Sequence, residues 1–508
     1  MMNLIKRGGL PVLSMVLTCL FPCMFMFCLN ADEAKFIHIF PMLWVFLICA
    51  ALFFGIMSIF LRNMSRSAVM TNLFMLAIIN FAMISNAIKK QIPEFRSMVL
   101  IVTFSVILLL VFFLLLRKKP DLTVLCGIFS LTFGVLILVN LVTAIPTLIS
   151  QATFKMPPPN PEETLSDVQF EGEKHNVYYF IFDEYGGSEN LVHYMDYDNE
   201  EFLTALEERG FSVSRTSKNT ESPWTVTLVP NILNLDYVTS DEEPINNRVR
   251  YLEDPALYRM FRQNGYTINL INQNDFLDSE GTNVLTSGQR EETIADYIFN
   301  NTIFAHMFHM KHWMERTVLG MEPDSALTTM ENVRDAMESC HKQVGKEPTL
   351  TLGYVISPHA PFVCDRNGDP LPEETYYEWH TMDFYYEKLL YTNDMILATV
   401  DNILAKDPDA VILLQADHGS RQPGHLVDQH GGPWFDGEIE NPMMASVLNC
   451  VRVPGGSPDI EGDTCINAAR KTFNAAFGAD FAMLEVPPMY EIPREYMPKE
   501  PKPEGEAS

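Results

Sequence analysis

Five apolar stretches, each close to the roughly 20 residues that a helix needs to cross a bilayer, fill the first 150 residues of this 508-residue chain. The sequence therefore predicts a helical membrane domain over residues 1–150. The predicted spans are residues 9–29, 38–61, 68–88, 98–116 and 122–149. Lys6 and Arg7 precede the first span, as they would in a signal peptide, but four more spans follow at once, so we expect it to be retained. The third span is the weakest, because three asparagines interrupt it.

The two parts of the chain carry opposite charge. Residues 1–150 contain eleven basic and four acidic residues, whereas the rest contains 25 basic and 60 acidic ones. So acidic a region lacks the basic face that nucleic-acid binding requires, which excludes a nucleic-acid partner. Because Lys and Arg favour the cytoplasmic side of a membrane, their distribution over five spans predicts a multi-pass plasma-membrane protein whose C-terminal part is extracytoplasmic.

Beyond the membrane domain, apolar runs alternate with amphipathic segments. Buried strands are predicted at residues 177–182, 349–356 and 410–414, and helices at residues 200–209, 256–263 and 386–404. This alternation predicts an α/β sandwich with a largely parallel sheet. We assign it to residues 175–486, with a proline-rich, acidic linker at 151–174 and a Pro/Glu-rich tail at 487–508.

Carboxylates and imidazoles follow the predicted strands. Asp183 and Glu184 follow the first strand, His359 the second, and Asp417 and His418 the third. Ligands of parallel α/β sheets bind beyond the carboxyl ends of the strands, and these residue types bind divalent metals. Any one of them alone is more simply a solvated loop residue, but together they predict a metal site.

Thr225 is a candidate nucleophile at the predicted start of a helix. Backbone N–H groups at a helix start stabilise a transferred anion, and a bound cation lowers the pKa of a nearby hydroxyl. Considered alone, Thr225 is equally well explained as a helix N-cap.

These segments together resemble the membrane-anchored sulfatase-like branch of the alkaline phosphatase superfamily, which includes lipoteichoic acid synthases and lipid A phosphoethanolamine transferases. The resemblance covers roughly residues 174–485. It rests on five stretches in family order: NVYYFIFDEYGG, the segment from Pro223 to Tyr237, ISPHAPF followed by DRNGDP, ADHG, and HGGPW. It implies an alkaline-phosphatase/sulfatase-like α/β catalytic domain after the membrane helices.

The resemblance also implies roles for the residues at the strand ends. Glu184 matches the family's carboxylate ligand, with Asp183 beside it as a candidate second ligand. Asp417 and His418 match the paired ligands after the later strand. Thr225 matches the threonine that accepts the phosphoryl group.

Further residues are candidates for substrate binding. His359 and His430 match histidines that contact the substrate phosphate or a second metal. Arg421 and His425 are nearby candidates without a firm counterpart. Two-zinc phosphatases have a carboxylate four residues before the histidine matched by His359, and here that position is Val355. A single metal is therefore favoured, with a second left open.

Departures from the sulfatases favour phosphoryl chemistry. The chain lacks their Cys/Ser-x-Pro-x-Arg motif, and Asp417-His418 stands where they have Asp-Asn. Imidazole suits zinc or manganese better than calcium, which prefers oxygen ligands. The expected cofactor is therefore one divalent metal, Mn or Zn.

The expected function is metal-dependent transfer or hydrolysis of a phosphoryl-linked group through Thr225, on a membrane lipid or a cell-envelope polymer. One alternative is a sulfate or phosphate ester hydrolase. Another is a catalytically silent, membrane-anchored binding protein that keeps the fold. Four cysteines of the outer part permit three disulfide pairings or free thiols. They are Cys340, Cys364, Cys450 and Cys465.

Overall fold

The structure is a computed structural model. It describes residues 9–487 except for residues 33, 93–94, 156–167, 221, 223, 274–276, 278, 288–293, 306, 308–325, 344, 346, 373–374, 379–381 and 421–443. The chain forms two compact units. One, here called the membrane unit, comprises Met1–Phe154 and Glu292–Pro323; the other, the sheet unit, comprises Lys155–Glu291 and Asp324–Ser508.

The described α-helices are, in chain order, α1 (Leu10–Leu29), α2 (Phe40–Leu61), α3 (Met64–Ile79), α4 (Phe81–Gln91), α5 (Ser97–Lys118), α6 (Thr123–Thr153), α7 (Ser188–Met195), α8 (Glu200–Glu208), α9 (Thr225–Asn234), α10 (Ile245–Arg248), α11 (Ala256–Gln263), α12 (Ile294–Asn300), α13 (Ala326–Ser339), α14 (Asp383–Lys406) and α15 (Cys465–Phe477). The described strands are β1 (Val177–Phe182), β2 (Ser212–Val213), β3 (Thr267–Asn272), β4 (Asn283–Ser287), β5 (Thr349–Val355), β6 (Val411–Ala416) and β7 (Asn449–Arg452). Short 3-10 helices cover Phe36–Ile39, Val249–Leu252 and Cys340–Gln343.

Among the described residues of the membrane unit, four helical segments are long and apolar enough to cross a membrane. They are Leu10–Leu29, Phe36–Leu61, Ser97–Lys118 and Thr123–Thr153. The span predicted at residues 68–88 is instead the pair α3 and α4, bent by 52°. The break is at Asn80, whose side-chain Nδ2 donates to the Leu76 carbonyl at 2.9 Å, an example of a side chain competing for backbone hydrogen bonds. The count is five spans if the bent pair is one of them.

A segment from the second half of the sequence also belongs to the membrane unit. Ile294 and Ile298 of α12 are buried in the same apolar cluster as Phe27 and Phe46 of the membrane helices. The Asn301 carbonyl accepts a hydrogen bond from the backbone N–H of Ala82 at 3.0 Å. That N–H lies in the first turn of α4, where a helix leaves its own donors unbonded. A domain boundary at residue 150 does not anticipate this return of the chain.

The seven described strands of the sheet unit form one sheet in the order β2-β7-β6-β1-β5-β3-β4. The pairs among β6, β1, β5, β3 and β4 are parallel, whereas β7 runs antiparallel to β6 and to β2. All six residues of β1 are buried, as expected for a strand with both faces covered. The predicted fold class is confirmed: N-terminal membrane helices are followed by an α/β domain with a largely parallel sheet.

The register of the central strands brings the predicted site residues to one edge. Phe182, the last residue of β1, pairs with Val355 of β5 and with Ala416 of β6. The carboxyl ends of three neighbouring strands therefore coincide, which is where parallel α/β sheets bind ligands.

All nine cysteines are free thiols, and Cys465 Sγ donates to the Ala416 carbonyl at 3.4 Å.

Candidate metal centre and nucleophile

Two adjoining loops carry most of the candidate site, one after β1 and one after β6. Glu184 has a left-handed backbone (φ 64°), and its N–H donates to Asp417 Oδ1 at 3.3 Å. Both loops also pass close to the chain at Ser446. A Cβ atom on Gly187 would lie 2.7 Å from Ser446 Oγ, and one on Gly419 would lie 2.4 Å from the Ser446 carbonyl oxygen. Glycine at these two positions is what allows the close approach.

Three buried side chains converge at the strand ends. Asp183, Asp417 and His418 each offer a ligand atom, and these atoms all lie within 4.8 Å of one another. His418 Nε2 is 3.5 Å from Asp183 Oδ1 and 3.8 Å from Asp417 Oδ2. Two ligand atoms bound tetrahedrally to one zinc ion are about 3.3–3.4 Å apart, given bonds of roughly 2.0–2.1 Å. The spacing thus approaches that of a single metal site.

The tautomer of His418 supports the same conclusion. His418 Nδ1 lies 2.9 Å from the Gly419 carbonyl oxygen, which can only accept, so Nδ1 carries the hydrogen. In the neutral ring, Nε2 then directs a lone pair toward two carboxylates. Burial raises the pKa of Asp417, whereas the hydrogen bond that its Oδ1 accepts from the His418 backbone N–H acts to lower it. A divalent cation would offset the repulsion among these donors, and the residues present therefore fit a metal such as zinc or manganese.

Thr225 lies at the edge of this cluster. It is the first residue of α9, and the N-cap is Trp224, which makes no side-chain capping hydrogen bond. The Thr225 hydroxyl donates instead to Asp417 Oδ2 at 2.9 Å. Capping is therefore not what this hydroxyl does in the structure.

Glu184 and His359 face each other beside the cluster. His359 Nε2 is 3.8 Å from Glu184 Oε2, and Nδ1 lies 2.6 Å from the Ala360 carbonyl oxygen. Of the two adjacent carboxylates after β1, Asp183 lies in the cluster with Asp417 and His418, whereas Glu184 faces His359. The other predicted site residues lie outside the described residues: Arg421, His425 and His430.

Tyr354 belongs to the site but is not singled out in the sequence. It is the penultimate residue of β5 and is buried. Burial raises its pKa well above the usual range, and the charges of Asp183 and Asp417 add to this. In the apolar run TLTLGYV it is indistinguishable from a core residue. The available signal was that a buried phenol needs a polar partner.

Comparison with known proteins identifies the family of this domain. The sulfatase family model matches residues 175–447. The structure is similar to the zinc complex of the C-terminal periplasmic domain of EcEptC from Escherichia coli, with 13% identity, coverage of 62% of this chain and 86% of that chain, and a TM-score of 0.40. It is also similar to lipoteichoic acid synthase LtaP from Listeria monocytogenes, with 12% identity, coverage of 60% of this chain and 74% of that chain, and a TM-score of 0.35. A third similar structure is lipooligosaccharide phosphoethanolamine transferase A (EptA) from Neisseria meningitidis, with 12% identity, coverage of 92% of this chain and 95% of that chain, and a TM-score of 0.40.

A search of curated proteins gives no significant match. The residues matched by the family model make up more than half of the chain and include every candidate site residue that the structure describes. The chain therefore belongs to the sulfatase family, within the alkaline phosphatase superfamily.

Proposed function

We propose that this chain is a membrane-bound, metal-dependent enzyme that transfers or hydrolyses a phosphoryl-linked group, with Thr225 as its nucleophile. One observation carries the proposal. The Thr225 hydroxyl donates to Asp417 Oδ2 at 2.9 Å, and the same oxygen lies 3.8 Å from His418 Nε2. A hydroxyl at the edge of a cluster of metal-type ligands is the arrangement that activates an otherwise weak nucleophile.

Asp183, Asp417 and His418 are the residues that would hold the metal, and an imidazole ligand favours Zn or Mn over Ca. A bound divalent metal would lower the pKa of the Thr225 hydroxyl and offset charge on the phosphoryl oxygens. His359 is proposed to contact the substrate phosphate or a second metal. Glu184, which the resemblance gives as a metal ligand, lies with its Oε2 3.8 Å from His359 Nε2. His430, Arg421 and His425 remain candidates for substrate contact from the sequence alone.

The proposed reaction has two steps. In the first, Thr225 Oγ1 bonds to phosphorus while the bond from phosphorus to the leaving alcohol breaks, which gives a phospho-threonine. The hydrogen bond to Asp417 Oδ2 marks the route by which the threonine proton leaves, and the released alcohol gains one proton in exchange. In the second, the oxygen of an acceptor hydroxyl, or of water, bonds to the same phosphorus while the bond from phosphorus to Thr225 Oγ1 breaks. The attacking group loses one proton and Thr225 Oγ1 regains one.

A membrane lipid or a cell-envelope polymer is the proposed substrate. Covalent linkage to several membrane-spanning helices keeps the sheet unit close to a bilayer. The sheet unit is strongly acidic, so its overall field does not attract an anionic substrate. Local groups at the site must supply that attraction. We place this unit on the extracytoplasmic side of the plasma membrane, following the distribution of Lys and Arg.

The test replaces the nucleophile in the full-length protein. With Mn²⁺ or Zn²⁺ at saturation, Thr225→Ala should lower turnover of a chromogenic phosphodiester by roughly 10³-fold, whereas Thr225→Ser keeps a hydroxyl and retains part of the activity. Thr227→Ala is the matched control, because Thr227 is in the same helix but its hydroxyl donates to Asp241 Oδ1 at 2.6 Å. Unchanged turnover in Thr225→Ala would show that the nucleophile is another residue.

Two further measurements separate the alternatives. Turnover of a chromogenic sulfate ester, but not of phosphodiesters, would identify a sulfate ester hydrolase. Elemental analysis tests the silent binding protein: near-stoichiometric Mn or Zn supports an enzyme, whereas no bound metal supports the binder. Intact-mass analysis of the chain recovered from membranes would identify the transferred group through the mass of an adduct on Thr225.

A further inference from the structure

A lysine is buried behind the loop that carries His359. Lys388 lies in α14 and is 1% exposed. Its ammonium group donates to three carbonyl oxygens, those of Ile356 at 3.0 Å and Pro361 at 3.1 Å and that of His359. An ammonium has three N–H donors, and all three are used on one loop, residues 356–361.

Burial of this charge is costly, and no ion pair offsets it among the described residues. A buried ammonium normally requires a carboxylate partner or full hydrogen bonding. Burial lowers the pKa of Lys388 to about 8, and the charges of Asp183 and Glu184 act in the opposite direction. Three carbonyl acceptors around Nζ require all three N–H donors of the ammonium form, and these hydrogen bonds to the loop are what satisfy the buried charge.

Two neighbours of Lys388 on the same face of α14 hold the same part of the site. Tyr385, one turn earlier, donates from its hydroxyl to the Glu184 carbonyl at 2.9 Å. Thr392, one turn later, lies with its Oγ1 2.6 Å from Ser357 Oγ. Side chains three and four residues apart share a helix face. One face of α14 thus contacts both the loop after β1 and the loop after β5.

The loop held by Lys388 sets the position of His359. The His359 N–H donates to the Asp183 carbonyl at 3.2 Å, and its imidazole Nε2 lies 3.8 Å from Glu184 Oε2. We propose that Lys388 is a positioning residue, which keeps the 356–361 loop in the conformation that presents His359 to the site. The inference rests on the proposed function in one respect, namely that His359 contacts the group being transferred.

The first experiment measures the loop directly and needs no activity. Lys388→Met fills a similar volume but donates no hydrogen bond. In the full chain, we expect amide hydrogen exchange in peptides covering residues 356–364 to rise at least about tenfold, with exchange in α15 unchanged. Lys406→Met is the matched control, since Lys406 is exposed at the end of the same helix. Unchanged exchange in the loop would overturn the proposal. If Lys388→Met does not fold, Lys388→Gln keeps two N–H donors and should give a smaller increase.

The second experiment is a double-mutant cycle with His359→Ala. In the wild-type background, we expect Lys388→Met to lower kcat/KM by about 10- to 100-fold, the usual range for residues that orient a functional group. In the His359→Ala background, the same change should matter by less than about twofold. Equal losses in both backgrounds would show that Lys388 acts through general stability. A wild type without phosphoryl activity would refute the proposed function instead, and hydrogen exchange would still decide the role of Lys388.

Discussion

The two units differ in the polar groups that they bury. Among described residues of the membrane unit, every buried polar side chain is Ser, Thr or Asn, and none is Asp, Glu, Lys, Arg or His. The described residues of the sheet unit include seven buried side chains of these five types: Asp183, Glu184, Arg248, Lys388, Asp417, His418 and Arg470. Five of these lie in or beside the candidate site.

The difference reflects what each kind of group costs to bury. In the membrane unit, several buried hydroxyls bond locally to a carbonyl one helical turn earlier, as in Thr18 to Ser14 and Thr71 to Ser67, so these need no distant partner. A buried charge has no such local solution and must be paired, hydrogen-bonded or bound to a cation. Carboxylates gathered at one sheet edge therefore indicate function.

The largest expected effect concerns the two adjacent carboxylates after β1. Asp183 is within the three-residue cluster, whereas Glu184 faces His359. Asp183→Asn should therefore remove most of the bound metal and lower turnover on the order of 10³-fold, since metal stabilisation is worth several kcal/mol. Glu184→Gln is the matched variant, one residue away, and should leave more metal bound. Elemental analysis and kcat/KM measured on the same preparations check this.

The opposite order of metal content would reverse the assignment. If Glu184→Gln loses the metal and Asp183→Asn retains it, Glu184 is the principal ligand, as the family resemblance implies. Equal loss in both variants would mean that both carboxylates coordinate.

A smaller effect is expected from Tyr354. Tyr354→Phe removes a hydroxyl that lies close enough to Asp183 and Asp417 for their charges to raise its pKa, but keeps the ring in the core. We expect kcat to fall about tenfold, equivalent to ~1.4 kcal/mol, with metal content unchanged. Tyr178→Phe is a suitable control. Tyr178 is also buried, but it lies at the start of β1, at the opposite edge of the sheet from the candidate site. A loss no larger than in the control would remove Tyr354 from the site.

The sequence predicted the elements that depend on long apolar runs. Residues 177–182 form β1 as predicted, because a strand buried on both faces is uniformly apolar. The residues after β1, β5 and β6 were found by the general rule for parallel sheets. The rule locates the edge but not the direction of each side chain, so it could not separate Asp183 from Glu184 or find Tyr354.

Other features depend on contacts between distant parts of the chain. The return of α12 to the membrane unit is set by Ile294 and Ile298 packing into a cluster of membrane-helix residues. In the sequence these two residues look like part of any amphipathic helix. The burial of Lys388 in α14 could not be predicted from the sequence either. It depends on the path of residues 356–361, whose carbonyls accept the hydrogen bonds of the lysine.

The smallest expected effect concerns a hydrogen bond between two helices of the membrane unit. Asn72 of α3 is buried, and its Nδ2 donates to Ser14 Oγ of α1 at 3.1 Å. Asn72→Ala should lower the free energy of unfolding of the membrane unit by about 0.6 kcal/mol, the average for hydrogen bonds between membrane helices. Asn140→Ala is the control, because Asn140 Nδ2 bonds only within α6, to the Leu136 carbonyl at 2.7 Å. Denaturation in detergent measures the difference, and phosphodiester turnover should stay within about twofold of wild type. A larger fall in turnover at unchanged stability would mean that this polar pair takes part in the reaction, and the membrane unit would then be more than an anchor.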